Sequence, residues 1–102
     1  MVTTIQSIHF NADEKLINLI EGKLSRLTHY LQDKALEAKV VLRLEQVGRI
    51  QDKVVEVIIN LPGQPLIAKC TRKSFEEALL LVVASLKKQL LRYKEKIQQK
   101  HS

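Results

Sequence analysis

The sequence predicts an α+β fold of order βαβββα: a four-stranded, mostly antiparallel sheet with two helices packed on one face. Three observations carry this prediction. Apolar residues recur at helical spacing near the start and again near the end of the chain. Between those stretches, three segments alternate apolar and polar residues with the period of a strand. Turn-forming residues separate the alternating segments, and no long linker or internal repeat interrupts the order.

Each element has its own signal. "TTIQSIHF" reads as a short, half-polar strand. "NADEKLINLIEGKLSRLTHYLQ" places Leu16, Ile20, Leu24, Leu27 and Leu31 on one helical face. Asn11 or Asp13 can cap that helix, Asn11 with Glu14 forming a capping-box pattern. Gly22 weakens the helix by roughly 1 kcal/mol relative to alanine, but the periodicity runs through it. "KVVLRLEQV" sets Val40, Leu42 and Leu44 opposite Val41, Arg43 and Glu45, and "GRIQD" supplies a turn. "KVVEVIINL" alternates again, with Val55, Val57, Ile59 and Leu61 on one side. "PGQP" turns the chain into "LIAKC", whose Leu66, Ala68 and Cys70 point inward; Pro62 and Pro65 fall at its margins, where proline is tolerated. Ser74 and Glu77 form a second capping-box pattern. The final helix then runs its core stripe through Phe75, Leu79, Val82, Leu86, Leu90, Tyr93 and Ile97.

The chain of 102 residues supports one domain with one modest core. We place that domain at 1–97, followed by a short, basic, flexible tail at 98–102, since "QQKHS" offers nothing apolar to oppose fraying. Met1 leads into a polar stretch, and the longest apolar run (78–84) is far short of a bilayer span. With its lone Cys70, the chain is expected to be soluble and cytoplasmic, with no membrane partner.

Charge is distributed unevenly. Residues 1–68 hold eight Lys/Arg and eight Asp/Glu, whereas residues 69–102 hold nine and three, which leaves the whole net charge of +6 in the last third. Concentration in one element suggests a binding face, against the plainer reading of a solvated helix. On a helical wheel Lys88, Arg92 and Lys96 follow one another along one flank, one turn after Ser85, while Lys87 and Lys94 lie on the other. Lys23 and Arg26 share one side of the first helix. Side by side, the two helices are expected to build a basic groove from Lys23, Arg26, Lys88, Arg92 and Lys96. That spacing suits a phosphate backbone. Phe75 and Tyr93 belong to the core stripe, so stacking on bases is not indicated, and recognition of structured RNA by shape is the better expectation.

Catalysis has little to rest on. His9, His29 and His101 are far apart, and no residues show metal-ligand spacing. Cys70 reads as a small core residue, and Glu76–Glu77 as first-turn acids favoured by the helix dipole. The glycines Gly22, Gly48 and Gly63 make no phosphate-cradling loop. We therefore expect a binding protein, not an enzyme, with no cofactor, metal or small-molecule substrate.

"KLSRLTHYL", "DKVVEVIINLPG" and "LKKQLLRYKEK", in this order and spacing, resemble the short ribosome hibernation-promoting factors, the ribosome-associated inhibitor YfiA family. The resemblance covers nearly the whole chain. It implies a fold like that of double-stranded-RNA-binding domains. It implies binding to the small ribosomal subunit and its ribosomal RNA, in the channel for messenger and transfer RNA, and inhibition of translation in stationary phase or stress. By position, the family's RNA-facing residues correspond to Lys23, Arg26, Lys88, Arg92 and Lys96. Family members often carry aspartate where this chain has Ser74 and Leu80, and a basic residue where it has Ser85. The resemblance is to the short forms, so the separate C-terminal dimerisation domain of the long forms is not expected. Two other readings stay open: a generic structured-RNA binder, and an adaptor docking an acidic protein through the basic helix.

Two apolar surfaces fall outside this account. Leu80, Ala84 and Leu91 share a side of the last helix away from its core stripe, where the first helix is expected to cover them; a protein contact or a homodimer is the competing reading. Val41, Val54, Ile58 and Ile67 form a similar patch on the outer face of the sheet.

Overall fold

In the structure, a computed structural model, residues 2–29 and 37–100 are described, with only the backbone for Thr28 and residues 97–100. The elements follow the expected order: β1 (Val2–Ile8), α1 (Glu14–Thr28), β2 (Glu37–Val47), β3 (Ile50–Asn60), β4 (Leu66–Arg72) and α2 (Phe75–Lys100). The sheet order is β1-β2-β3-β4. β1 pairs parallel to β2, a geometry that requires a crossover and receives one in α1. The other two pairings are antiparallel hairpins.

Period-2 alternation sends one face of every strand inward. Val40 lies opposite Ile5 on one side and Val57 on the other, and Val57 lies opposite Ala68. Both helices lay their apolar stripes on this face: Leu16, Ile20, Leu24 and Leu27 from α1, and Leu79, Val82, Leu86, Leu90 and Tyr93 from α2 join one buried cluster. Cys70 and Phe75 are half-buried against it. Leu31, expected on the α1 stripe, lies outside the described residues.

Three details differ from expectation. The β2–β3 turn is tighter than "GRIQD": only Gly48 and Arg49 lie between paired Val47 and Ile50, and Gly48 takes φ 62°, the conformation a two-residue hairpin asks of its first turn position. The helical backbone of α2 continues past Ile97 to Lys100. The outer sheet patch is also smaller than expected. Val54 and Val41 are 2% and 9% exposed although they face away from the helices. Arg43 and Thr71 stand opposite Val54, while Glu56 and Gln6 stand opposite Val41. Long polar side chains at such positions cover valine with their aliphatic stems. Ile58 is half-buried, and of the four only Ile67 is open.

Candidate nucleic-acid interface

The basic residues gain their positions from the way each helix is tied down. In α1, Asp13 is the N-cap: its Oδ1 accepts from the Leu16 amide at 2.8 Å. Ser74 does the same for α2, accepting from the Glu77 amide at 3.1 Å. Phe10 and Phe75 stack near the two helix starts, with centroids 4.8 Å apart and planes within 15°. Far along α2, the Tyr93 hydroxyl donates to the Pro62 carbonyl at 3.0 Å, tying the helix to the β3–β4 turn.

A further tie joins α2 to the sheet edge. The Gln89 amide behaves like a short added strand at the edge of the sheet. Its Nε2 donates to the Ile67 carbonyl at 2.9 Å and its Oε1 accepts from the Ile67 amide at 3.3 Å. Gln89 Nε2 also donates to Ser85 Oγ at 3.1 Å. β4 is an edge strand, so these bonds engage backbone groups that no neighbouring strand can reach. Nothing in the sequence analysis singled out Gln89; a glutamine on the flank that overhangs an edge strand is the only available signal, and it needs the topology to be read.

Lys88, Arg92 and Lys96 are exposed and lie on the flank that carries Ser85 and Gln89. That flank overhangs the β4 edge, away from the β1–β2 side of the sheet that α1 bridges. On α1, half-buried Lys23 and exposed Arg26 line a shallow recess over Gly22 together with Asn18 and Leu19, and no residue of α2 lines it. The single groove expected between the helices is therefore two rows, Lys23–Arg26 on α1 and Lys88–Arg92–Lys96 on α2. The physical reason is that the buried stripe from Leu79 to Tyr93 turns the Lys88–Arg92–Lys96 flank toward the β4 edge, where Gln89 bonds to Ile67. Lys87 and Lys94 stand on the opposite flank of α2 and have interactions of their own.

Other cations are partly committed. Lys73 pairs with Asp52 at 2.7 Å, Arg72 with Glu77 at 3.7 Å, and Arg43 with Glu45 at 3.4 Å. Where the family often has aspartate and a basic residue, Ser74 serves as a helix cap and Ser85 as an acceptor for Gln89. Among the described residues no group of three or more His, Cys, Asp or Glu could hold a metal ion, and no helix is long and apolar enough to cross a membrane.

Fold and surface define a small two-layer α+β domain with cationic rows on its two helices. A family model described as sigma 54 modulation protein / S30EA ribosomal protein matches residues 3–98. The chain belongs to that ribosome-associated family, and the resemblance read from the sequence is borne out. No curated protein matches the chain. Among solved structures, the chain is similar to a ribosomal subunit interface protein from Coxiella burnetii, at 21% identity and TM-score 0.82, covering 93% of this chain and 99% of that one. It is also similar to the N-terminal domain of Protein Y from Thermus thermophilus, at 28% identity and TM-score 0.78, covering 91% and 99%.

Proposed function

We propose that this protein is a cytoplasmic ribosome hibernation factor. It binds the small ribosomal subunit in the messenger and transfer RNA channel and holds translation down in stationary phase or stress. The observation that carries this reading is the exposed row Lys88–Arg92–Lys96, spaced four residues apart on a helix locked to the sheet by Gln89, in a chain of a ribosome-associated family. Cations four residues apart on a helix repeat every ~6 Å, close enough to the spacing of successive phosphates along a strand for one rigid face to meet several of them. Rigidity matters because binding then orders long side chains without also having to order the backbone that carries them. Binding needs no chemistry beyond charge and shape, consistent with a chain that acts by occupying a site.

The test is sedimentation of the purified protein with small subunits and whole ribosomes, together with cell-free translation. Co-sedimentation with the small subunit and dose-dependent loss of translation are expected, and competition by messenger or initiator transfer RNA should relieve both. Binding confined to the large subunit, or binding with no effect on translation, would overturn the proposal.

A further inference from the structure

The two helices leave different surfaces open. Contrary to expectation, α1 does not cover the Leu80–Ala84–Leu91 side of α2, where Leu80 is 55% exposed and Leu91 46%. On its own exposed side α1 carries Gly22, and nothing within the chain explains a glycine there. Its backbone is ordinary helix, since the positive-φ glycines are Gly48 and Gly63. A Cβ built on it would meet nothing within 4 Å. Glycine inside a helix is destabilising relative to alanine, but it is also the residue that lets a ligand come close to the backbone.

The neighbours of Gly22 favour that second use. Asn18, Gly22 and Arg26 follow one another four residues apart, a single row along the helix whose middle member has no side chain. The row leaves a gap of about 12 Å between the Asn18 and Arg26 backbone positions. Leu19 and Lys23 border it, which gives the recess over Gly22. Long helical side chains lean toward the N-terminus, so Arg26 reaches back over the gap. Among the described residues, the side chains of Asn18, Lys23 and Arg26 have no hydrogen-bond or ion-pair partner. Lysine and arginine offer donors alone, which suits the acceptor oxygens of a phosphate. Asn18 adds an acceptor. Along a sugar–phosphate chain the donor for it is the ribose 2′-hydroxyl, which DNA lacks. We propose that the gap at Gly22 seats one sugar–phosphate unit of RNA, with Lys23 and Arg26 on its phosphate and Asn18 on its ribose hydroxyl. This rests on the proposed function for the kind of ligand and extends it: Gly22 sets how closely RNA approaches α1, and Asn18 distinguishes RNA from DNA.

Gly22→Leu, Gly22→Ala and Asn18→Ala test it, all at exposed positions outside the core. Affinity is measured across a salt series for small subunits, for protein-free ribosomal RNA and for DNA of the same sequence, with thermal midpoints to verify folding. Gly22→Leu should stay folded and bind subunits and free RNA about tenfold more weakly. Its slope of log affinity against log salt should flatten by about one unit, because a phosphate contact is lost. Gly22→Ala should fall between Gly22→Leu and the wild type, and it carries the same test if the leucine variant does not fold. Asn18→Ala should lose about threefold on RNA and nothing on DNA, at an unchanged slope. Wild-type RNA affinity in a folded Gly22→Leu variant overturns the proposal, as does a loss with no change of slope. So does an Asn18→Ala variant that treats RNA and DNA alike. If the wild type binds free RNA but not small subunits, the proposed function falls, and the variants on free RNA still decide this inference.

Discussion

Leu86 is fully buried at the middle of the α2 stripe, between Val82 and Leu90 on its own helix and above the inner face of the sheet. Replacing it with alanine removes buried methyl groups and leaves a cavity that a single small core relaxes into only partly. Leu86→Ala should therefore destabilise the domain by about 2–5 kcal/mol, read as a lower denaturant midpoint with little change in slope. An unchanged midpoint would mean that Leu86 is not where the stripe is anchored. Gln89 offers a different residue-scale test. Its amide meets exposed backbone groups, so Gln89→Leu should lose only about 0.5–1.5 kcal/mol. Hydrogen exchange at the Ile67 amide should rise more than exchange across the β2–β3 pairing. A uniform rise across the sheet would instead show that Gln89 supports the whole fold.

At the scale of elements, Gly22 is an imperfection in α1. It sits on the exposed side of the helix, and a Cβ built there would meet nothing within 4 Å. Gly22→Ala should accordingly stabilise the protein by about 0.5–1 kcal/mol, seen as a higher thermal midpoint. A lower midpoint would mean the helix needs a glycine for a reason outside its own backbone. The helices and strands were legible because each writes its period into the chain: Ile20, Leu24 and Leu27 recur at helical spacing, and Val55, Val57 and Ile59 at strand spacing. Boundaries were less legible. Ile50–Asp52 looked like turn residues because polar Gln51 and Asp52 flank nothing buried, yet backbone pairing to Val47–Glu45 extends the hairpin through them. The outer-face valines misled for a related reason. Periodicity reports which face a residue takes, whereas the cover over Val54 depends on side chains brought alongside from β2 and β4. In the candidate site, the Lys88–Arg92–Lys96 row followed from the wheel alone, but its relation to Lys23 and Arg26 depended on where the packed α2 stripe sits on the sheet, with Gln89 at the β4 edge.

For the molecule as a whole, position of charge and quantity of charge make different predictions. Lys88→Glu with Arg92→Glu and Lys87→Glu with Lys94→Glu alter the net charge equally, from +6 to +2. If long-range attraction alone brought the protein to RNA, the two variants would lose affinity alike. If the row beside the β4 edge meets phosphates directly, the first pair should abolish small-subunit binding while the second weakens it through the general field. Both pairs lie off the core stripe; circular dichroism should show the first variant folded, while the second also removes the existing interactions of Lys87 and Lys94. Salt separates the contributions further. Five direct phosphate contacts from Lys23, Arg26, Lys88, Arg92 and Lys96 would give log affinity against log salt a slope of about −3.5 to −4.5. Deleting Gln98–Ser102 should flatten that slope by no more than about one unit, since Lys100 is its only Lys or Arg. Complete loss of binding on that deletion would move the principal contact to the end of the chain. A folded Lys88→Glu, Arg92→Glu variant with wild-type affinity would remove the α2 row from the interface.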